Sequence, residues 1–346
     1  MAEPYNTPVP GSTPRSGSPV PHPLRHPTLL STAATCTPKP RVLHLGDPIR
    51  FNPDTHDILS SQYEVVRPSA AERERAPFIQ NLRDGKWGSF QAIFRPFWRT
   101  GGIVYCNGGT ASADAVADLA IAMIISTFRY IPWCMAAATA ASPSAFADCH
   151  LDSPAQCHNL RDRILGVVGL GNIGQRVATR CRLGFAMEIH YFDIERKSAT
   201  VEGAVSARFH ASLESLLETA DCVVLCTPVG FGGETMINAS TLKHFRQGGR
   251  FVNVSRGALV NEDDLVAALE SQRLSSVALD VHANEPHVHE GLRKLAAEGR
   301  AMLTCHNGGG TVETHAAFEE LSMRNVLAVL GGDPALSAVN LGHLKR

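Results

Sequence analysis

The sequence predicts an α/β protein built on parallel, doubly wound sheets. Three observations carry this. Short apolar, β-branched runs recur from Arg41 to Thr304, and helical stretches separate most of them. One run, Ile164 to Val168, leads into Gly169, Gly171 and Gly174 in G-x-G-x-x-G spacing and then into a helical pattern. Another, Glu188 to Phe192, ends at Asp193, 19 residues beyond Gly174.

Each part of that unit has a physical task. Gly169 permits the tight strand-to-helix turn, Gly171 lets the backbone approach a pyrophosphate, and Gly174 lets the helix pack close to the strand. Asn172 and Ile173 lie between them, where a helix N-terminus offers N–H groups and a positive dipole end to phosphates. Glycine-rich turns are common, so the spacing alone says little. Strand, glycines, helix, strand and acid together predict a dinucleotide site. Asp193 predicts NAD(H) over NADP(H), because a carboxylate accepts from a ribose 2′-hydroxyl and repels a 2′-phosphate. Arg196 and Lys197 stand close behind and work against that preference.

At 346 residues the chain is long enough for two domains, and 44% hydrophobic content supports a sizeable core. A net charge of −1 argues against nucleic-acid or membrane-surface partners that rely on bulk charge. The longest apolar stretch, Ala115 to Phe128, is interrupted by Asp118 and too short to span a bilayer. The nine cysteines are scattered without a CxxC pair, which fits reduced thiols inside a cell and no metal site.

Taken in order, residues 1–40 hold 10 of the 21 prolines and one acid, Glu3. A disordered tail of a cytoplasmic protein is expected there; a mitochondrial signal is the alternative, opposed by prolines that forbid an amphipathic helix. Strands are expected at Arg41–Leu45, Tyr63–Val66, Phe90–Phe94 and Ile103–Cys106, with a helix over Ala70–Arg83. A long apolar helix is expected over Ser112–Tyr130, capped by Ser112. Residues 140–160 read as a loop. After the glycine turn, with its helix over Gln175–Arg182, strands recur at Cys222–Cys226, Arg250–Val254, Val277–Val281 and Met302–Thr304. Helices over Leu213–Thr219, Asn238–Phe245 and Glu262–Glu270 separate most of them. A closing helix over Thr311–Leu330 ends at Gly331, Gly332 and Pro334.

In open α/β sheets, ligands bind beyond the carboxyl ends of the strands. Thr227 and Pro228 follow one strand there. Val254, Ser255 and Arg256 follow the next, Asp280 and Glu285 another, and His306 the last. An Arg, a Glu and a His beside a nicotinamide would make a hydride-transfer site. Arg256 would bind a substrate carboxylate and polarise the adjacent carbonyl. His306 would exchange a proton with its oxygen, and Glu285 would hold the imidazole and keep it an acid near neutral pH. Singly, Arg256 could cap a helix, Glu285 could be a solvated loop acid and His306 a structural residue. Their shared placement after strands of one sheet favours the active site. His287 and His289 read as exposed loop residues.

The chain resembles the D-isomer-specific 2-hydroxyacid dehydrogenases. The matching pieces are Val168-Gly-Leu-Gly-Asn-Ile-Gly174, Asp193, Thr227-Pro228, Val252-Asn-Val-Ser-Arg-Gly257, Leu279-Asp-Val281, Glu285-Pro286 and His306 with its glycines. The ending Asn325 to Pro334, with Val339-Asn340, matches too, so the resemblance covers nearly all of 41–346. Tyr105-Cys-Asn-Gly108 and Thr304-Cys-His-Asn307 look most similar to the fungal D-mandelate-dehydrogenase-like or glyoxylate-reductase-like branch. The resemblance implies Arg256, Glu285 and His306 as catalytic residues and Asp280 near the nicotinamide carboxamide. It implies NAD-dependent interconversion of a small 2-oxo acid, such as glyoxylate, hydroxypyruvate or a mandelate-type acid, with its D-2-hydroxy acid, by a homodimer. It also implies a Rossmann-type NAD domain, 112–311, inserted in a flavodoxin-like substrate domain, 41–111 and 312–346.

One departure stands out. Between Phe94-Arg-Pro-Phe-Trp-Arg-Thr100 and Gly102-Ile-Val-Tyr-Cys106 the family carries a helix, a strand and a glycine-rich loop that holds the substrate carboxylate. Here the flanks abut at Gly101-Gly102, so about one βαβ-scale unit, roughly 30 residues, is missing. Asn107 and Gly108, in the neighbouring turn, are the remaining candidates for substrate binding beside Arg256. Asp118 stands where the family usually has Glu. A dinucleotide-binding protein with little turnover, as a truncated form or an NADH-sensing corepressor, is therefore the alternative to an active enzyme.

Overall fold

The computed structural model describes residues 39–94, 105–228 and 234–340. The expectation for 1–40 thus lies outside the described residues apart from Lys39 and Pro40, and that for 103–106 lies partly outside. Among the described residues the chain forms two parallel sheets.

The smaller sheet is built from β1 (Arg41–His44), α1 (Pro53–Gln62), β2 (Glu64–Val66), α2 (Arg75–Arg83) and β3 (Ala92–Phe94). Its order is β2-β1-β3. The expected helix over Ala70–Arg83 is broken: a short 3₁₀ turn spans Ala71–Arg73, and Glu74 takes an extended conformation before α2. Pro77 explains the break, since inside a continuous helix it would lack an N–H for the Arg73 carbonyl and clash with it, whereas in the first turn of α2 it is tolerated; the Arg73 guanidinium donates to the carbonyl oxygens of Leu45 and Gly46. Beyond the undescribed residues, Cys106 makes an isolated antiparallel bridge to Ala338.

Two helices follow, α3 (Ala113–Arg129) and α4 (Ile131–Thr139), joined at Tyr130, whose φ of 48° turns the chain by 73°. Ser112 sits at the cap of α3 without a capping bond. Asp114 and Asp118 instead pair with Arg176 and Arg180 at 2.9–3.0 Å, tying α3 to the helix after the glycine turn. The expected loop over 140–160 is mostly a helix, α5 (Pro143–Gln156). Ser142 caps it by accepting from the Ala145 N–H, and Pro143 occupies the first helical position, where its missing N–H is harmless.

The larger sheet collects β4 (Ile164–Val168), α6 (Asn172–Phe185), β5 (Glu188–Phe192), α7 (Ala199–Val205), β6 (Arg208–Phe209), α8 (Leu213–Thr219) and β7 (Cys222–Leu225). It continues through α9 (Ala239–Leu242), β8 (Gly249–Asn253), α10 (Glu262–Glu270), β9 (Leu274–Leu279), α11 (Glu290–Ala297) and β10 (Ala301–Leu303). Its order is β10-β9-β8-β7-β4-β5-β6, parallel throughout. Strands β7 and β8 are buried at every residue, as a sheet covered on both faces requires. One cluster packs Met123, Ile124 and Phe128 of α3 and Val177 of α6 against the sheet. The other packs Leu216, Leu265, Leu269 and Leu292 on the opposite face. Arg250 locks β8 to α3: its guanidinium lies 4.3 Å from the Phe128 ring centre and donates to the Thr127 carbonyl.

The last helix, α12 (Val312–Leu330), is capped by Thr311 and returns to the smaller sheet. Met323 and Val326 pack with Val42, Leu59 and Phe94, while the Glu319 carboxylate accepts from the N–H groups of Arg50 and Phe51. The small sheet thus depends on both ends of the chain for its core.

Candidate active site

The larger sheet changes winding direction between β4 and β7: strands β5 and β6 lie to one side, β8 to β10 to the other. Crevices form at such switch points, beyond the carboxyl ends of the strands. Gly169 leaves β4 there with φ 91°, a conformation that other residues rarely adopt, and packs against Thr227, which follows β7 beside the exposed Pro228. A side chain on Gly174 would overlap the Gly169 carbonyl, so helix α6 can start at Asn172 and Ile173 only with glycine at 174. Gly171 is different, since a Cβ there would meet nothing within 4 Å. It faces the open mouth of the crevice, where a pyrophosphate would approach, and the cradle fits a dinucleotide.

Asp193, at the end of β5, holds the glycine turn. Its Oδ2 accepts from the Leu170 N–H at 2.9 Å and pairs with Lys197 Nζ at 2.9 Å. Arg196 is turned away, bound to Glu202 at 2.9 and 3.0 Å.

The expected catalytic residues leave three successive strands. After β8, the Asn253 side chain folds the backbone: its Oδ1 accepts from Ser255 N–H and its Nδ2 donates to the Arg256 carbonyl. Val254 and Ser255 are buried by this turn while Arg256 is left exposed, its Nη1 donating to the Ser255 carbonyl at 2.6 Å. After β9 comes Glu285 and after β10 His306, and the two side chains meet, Nδ1 of His306 donating to Glu285 Oε2 at 2.9 Å. The pair stays open to a small substrate, with 45% of the His306 side chain and 37% of the Glu285 side chain exposed. Burial pushes the Glu285 carboxyl upward, but hydrogen bonds from His306 and from the His282 N–H outweigh it and hold it below the usual glutamate range.

Asp280 is committed to the backbone. Its Oδ1 accepts from Thr304 Oγ1 and Asn307 N–H, its Oδ2 from Gly308 N–H, and its carbonyl from the His306 N–H. This cage holds His306 at φ 54°, a left-handed conformation uncommon outside glycine. Asp280 therefore aims the imidazole; the resemblance alone suggests its contact with a carboxamide.

Asn107 and Gly108 lie apart from this group. Asn107 N–H donates to the Ser337 carbonyl, its Oδ1 accepts from Gly109 N–H, and Gly108 packs on the Phe318 ring of α12. Among the described residues, no hydrogen bond joins them to Arg256. Of the two loop histidines, His287 is exposed, but His289 caps α11 through Nδ1 and pairs with Asp263 at 2.9 Å. Asn253, Thr304, Glu262 and His282 complete the site's support; only Asn253 had a local signal, its place in the strand-end turn.

Residues 121–308 match the NAD binding domain of the D-isomer specific 2-hydroxyacid dehydrogenases. A glycerate dehydrogenase of Hyphomicrobium methylovorum is 36% identical over 173 residues, 50% of this chain and 52% of that protein, so the match spans about half its length. A glyoxylate reductase of Pyrococcus horikoshii is 31% identical over 254 residues, 70% of this chain and 71% of that one. The holo D-mandelate dehydrogenase of Rhodotorula graminis superposes with a TM-score of 0.81 at 31% identity, covering 88% of this chain and 98% of its own. The chain belongs to the D-isomer specific 2-hydroxyacid dehydrogenases.

Proposed function

We propose that the protein is an NAD-dependent reductase that converts a small 2-oxo acid to its D-2-hydroxy acid. The observation that carries this is the His306–Glu285 pair at 2.9 Å, set beyond the same sheet edge as Arg256 and the glycine cradle. When bound, a nicotinamide dinucleotide supplies the hydride. The chain's own residues do the rest. Arg256 forms a two-point contact with the substrate carboxylate and draws charge onto the neighbouring carbonyl oxygen. His306 carries a proton on the ring nitrogen turned away from Glu285 and delivers it to that oxygen. Glu285, charged and fixed by two donors, stabilises the doubly protonated ring.

The smaller sheet with α12 serves as the substrate domain in this reading, with Asn107 and Gly108 at its edge. The relatives named above act on glycerate, glyoxylate or mandelate, and substrates of that size fit an open His–Glu pair. The protein acts as a homodimer in the cytoplasm. The apolar residues exposed on α4 and α5, with Met135, Phe146 and Leu151 between 61% and 72% exposed, support the dimer. The cysteine content supports a reducing compartment.

The test is NADH oxidation by the purified chain with glyoxylate, hydroxypyruvate and phenylglyoxylate, each repeated with His306→Ala. Turnover undiminished in His306→Ala refutes the assignment. A second reading, a dinucleotide-binding protein with little turnover, is favoured by the small sheet: β3 is its edge strand among the described residues, with Ile93 38% exposed. Tight NADH binding without turnover on any of the three acids would select it.

A further inference from the structure

Arg256, Glu285 and His306 hang from three separate turns, and one buried side chain sits where those turns meet. His282 is 5% exposed. Its Nε2 donates to the Thr304 carbonyl at 2.9 Å, two residues before His306. Its own N–H donates to Glu285 Oε1 at 3.0 Å. Its carbonyl packs so closely on Gly257 that any side chain at 257 would overlap it, and Gly257 directly follows Arg256.

The neighbours tighten this junction. Glu262, from α10, accepts from the Ala283 N–H at 3.1 Å and faces His282 Nδ1 at 3.8 Å. Nδ1 is buried there without a hydrogen-bond partner. Thr304, besides accepting from His282, donates through Oγ1 to Asp280, whose cage fixes the His306 backbone. A buried imidazole with one unpaired nitrogen is costly packing material, and an apolar ring of similar size would fill the space more cheaply. What the imidazole adds is one directional bond between the loop that carries Glu285 and the strand end that carries His306.

We propose that His282 is a positioning residue for the catalytic pair: its Nε2–H bond to Thr304 holds the Glu285 loop and the His306 loop at the spacing their contact needs. The proposal rests on the dehydrogenase reading above. It concerns placement only, since His282 is buried beneath the residues that would meet substrate.

The test compares His282→Phe, which fills the space without a donor, with His282→Gln, whose amide N–H can reach Thr304. Long-range ¹H–¹⁵N spectra of the full chain report, through carbon-bound ring protons, which nitrogen of His306 carries hydrogen. His306→Gln assigns the signal. In the parent chain Glu285 holds that hydrogen on Nδ1. His282→Phe moves the ring towards the mixture of forms seen in free histidine, and His282→Gln restores the Nδ1–H form. In steady-state assays His282→Phe lowers kcat by roughly 10²-fold, the scale of an ångström misplacement, with KM for NADH little changed; His282→Gln recovers most of it. Should His282→Phe not fold, His282→Asn takes its place, because its shorter amide leaves Thr304 unreached. A lowered melting temperature with an unchanged His306 signal and unchanged kcat would make His282 merely structural and overturn the proposal. An undiminished rate in His306→Ala would instead overturn the dehydrogenase reading, whereas the ring spectra test the placement by His282 independently of it. If the chain turns nothing over, the spectra alone decide.

Discussion

Glu285 sits between two donors that decide its charge, and the sign of its pH dependence follows. Its carboxyl is held below the usual glutamate range in the folded chain, so its contact with His306 is intact above that range and is lost as pH falls through the lowered value. The kcat/KM profile should therefore fall on the acid side below the usual glutamate range. Glu285→Gln should be slower than the parent above that value, approach it below, and lack the step; a profile that keeps the step would assign it to another group. His306→Ala should cut the rate by about 10²–10⁴-fold, the scale for losing a general acid or base. Cofactor choice is expected to turn on single residues. Lys197 is neutralised by Asp193 at 2.9 Å. Asp193→Ala removes the expected partner of the 2′-hydroxyl and frees an ammonium for a 2′-phosphate. The NADPH-to-NADH affinity ratio, from fluorescence titration, should rise by about tenfold or more, roughly 1.4 kcal/mol. An unchanged ratio would mean that Asp193 serves only to hold the Leu170 N–H.

At the scale of elements, the glycine turn is one mechanical unit. Gly174→Ala would drive a methyl into the Gly169 carbonyl, forcing α6 away from β4. Overpacking of this kind costs about 1–3 kcal/mol, so denaturant unfolding should show that loss together with weakened NADH binding. Gly171→Ala, with open space at its Cβ, should leave stability unchanged and weaken NADH alone. The elements most legible in the sequence are those where period and caps agree. The expected spans of β5, α8 and α10 coincide with the observed ones. Helix α5 was illegible because its prolines suggest a loop, whereas Pro143 begins the helix and Ser142 caps it. Helices α7 and α11 each carry an internal glycine that weakens the helical signal, and strand β6 has only two residues.

Over the whole molecule, the placement of Arg256, Glu285 and His306 was legible because each follows a strand of one sheet, and strand ends can be read locally. His282, Glu262 and Thr304 were not, because their contacts close over about twenty residues and leave no local pattern. The same logic reaches the small sheet. A flavodoxin-like order runs 2-1-3-4-5, and the described residues stop at β2-β1-β3. Among the described residues no strand pairs with the outer edge of β3, and an edge left so would offer unpaired backbone groups. The NAD-binding sheet has its full set of expected parts, so the chain should bind NADH. The loop that would hold the substrate carboxylate has no counterpart between Phe94 and Tyr105 in the sequence. Arg256 alone, exposed at the strand end, cannot fix a small acid against His306, and a misplacement of about 1 Å can cost on the order of 10²-fold. The chain should therefore bind NADH yet reduce 2-oxo acids slowly, and its small sheet should unfold before the large one in hydrogen exchange. Inserting a family-like helix, strand and glycine loop between Thr100 and Ile103 should restore turnover and protect β3. If the unmodified chain instead reaches about 10 s⁻¹, a typical enzyme's rate, the turn at Asn107, Gly108 and Gly109 has taken over carboxylate binding. Asn107→Ala should then raise the substrate KM.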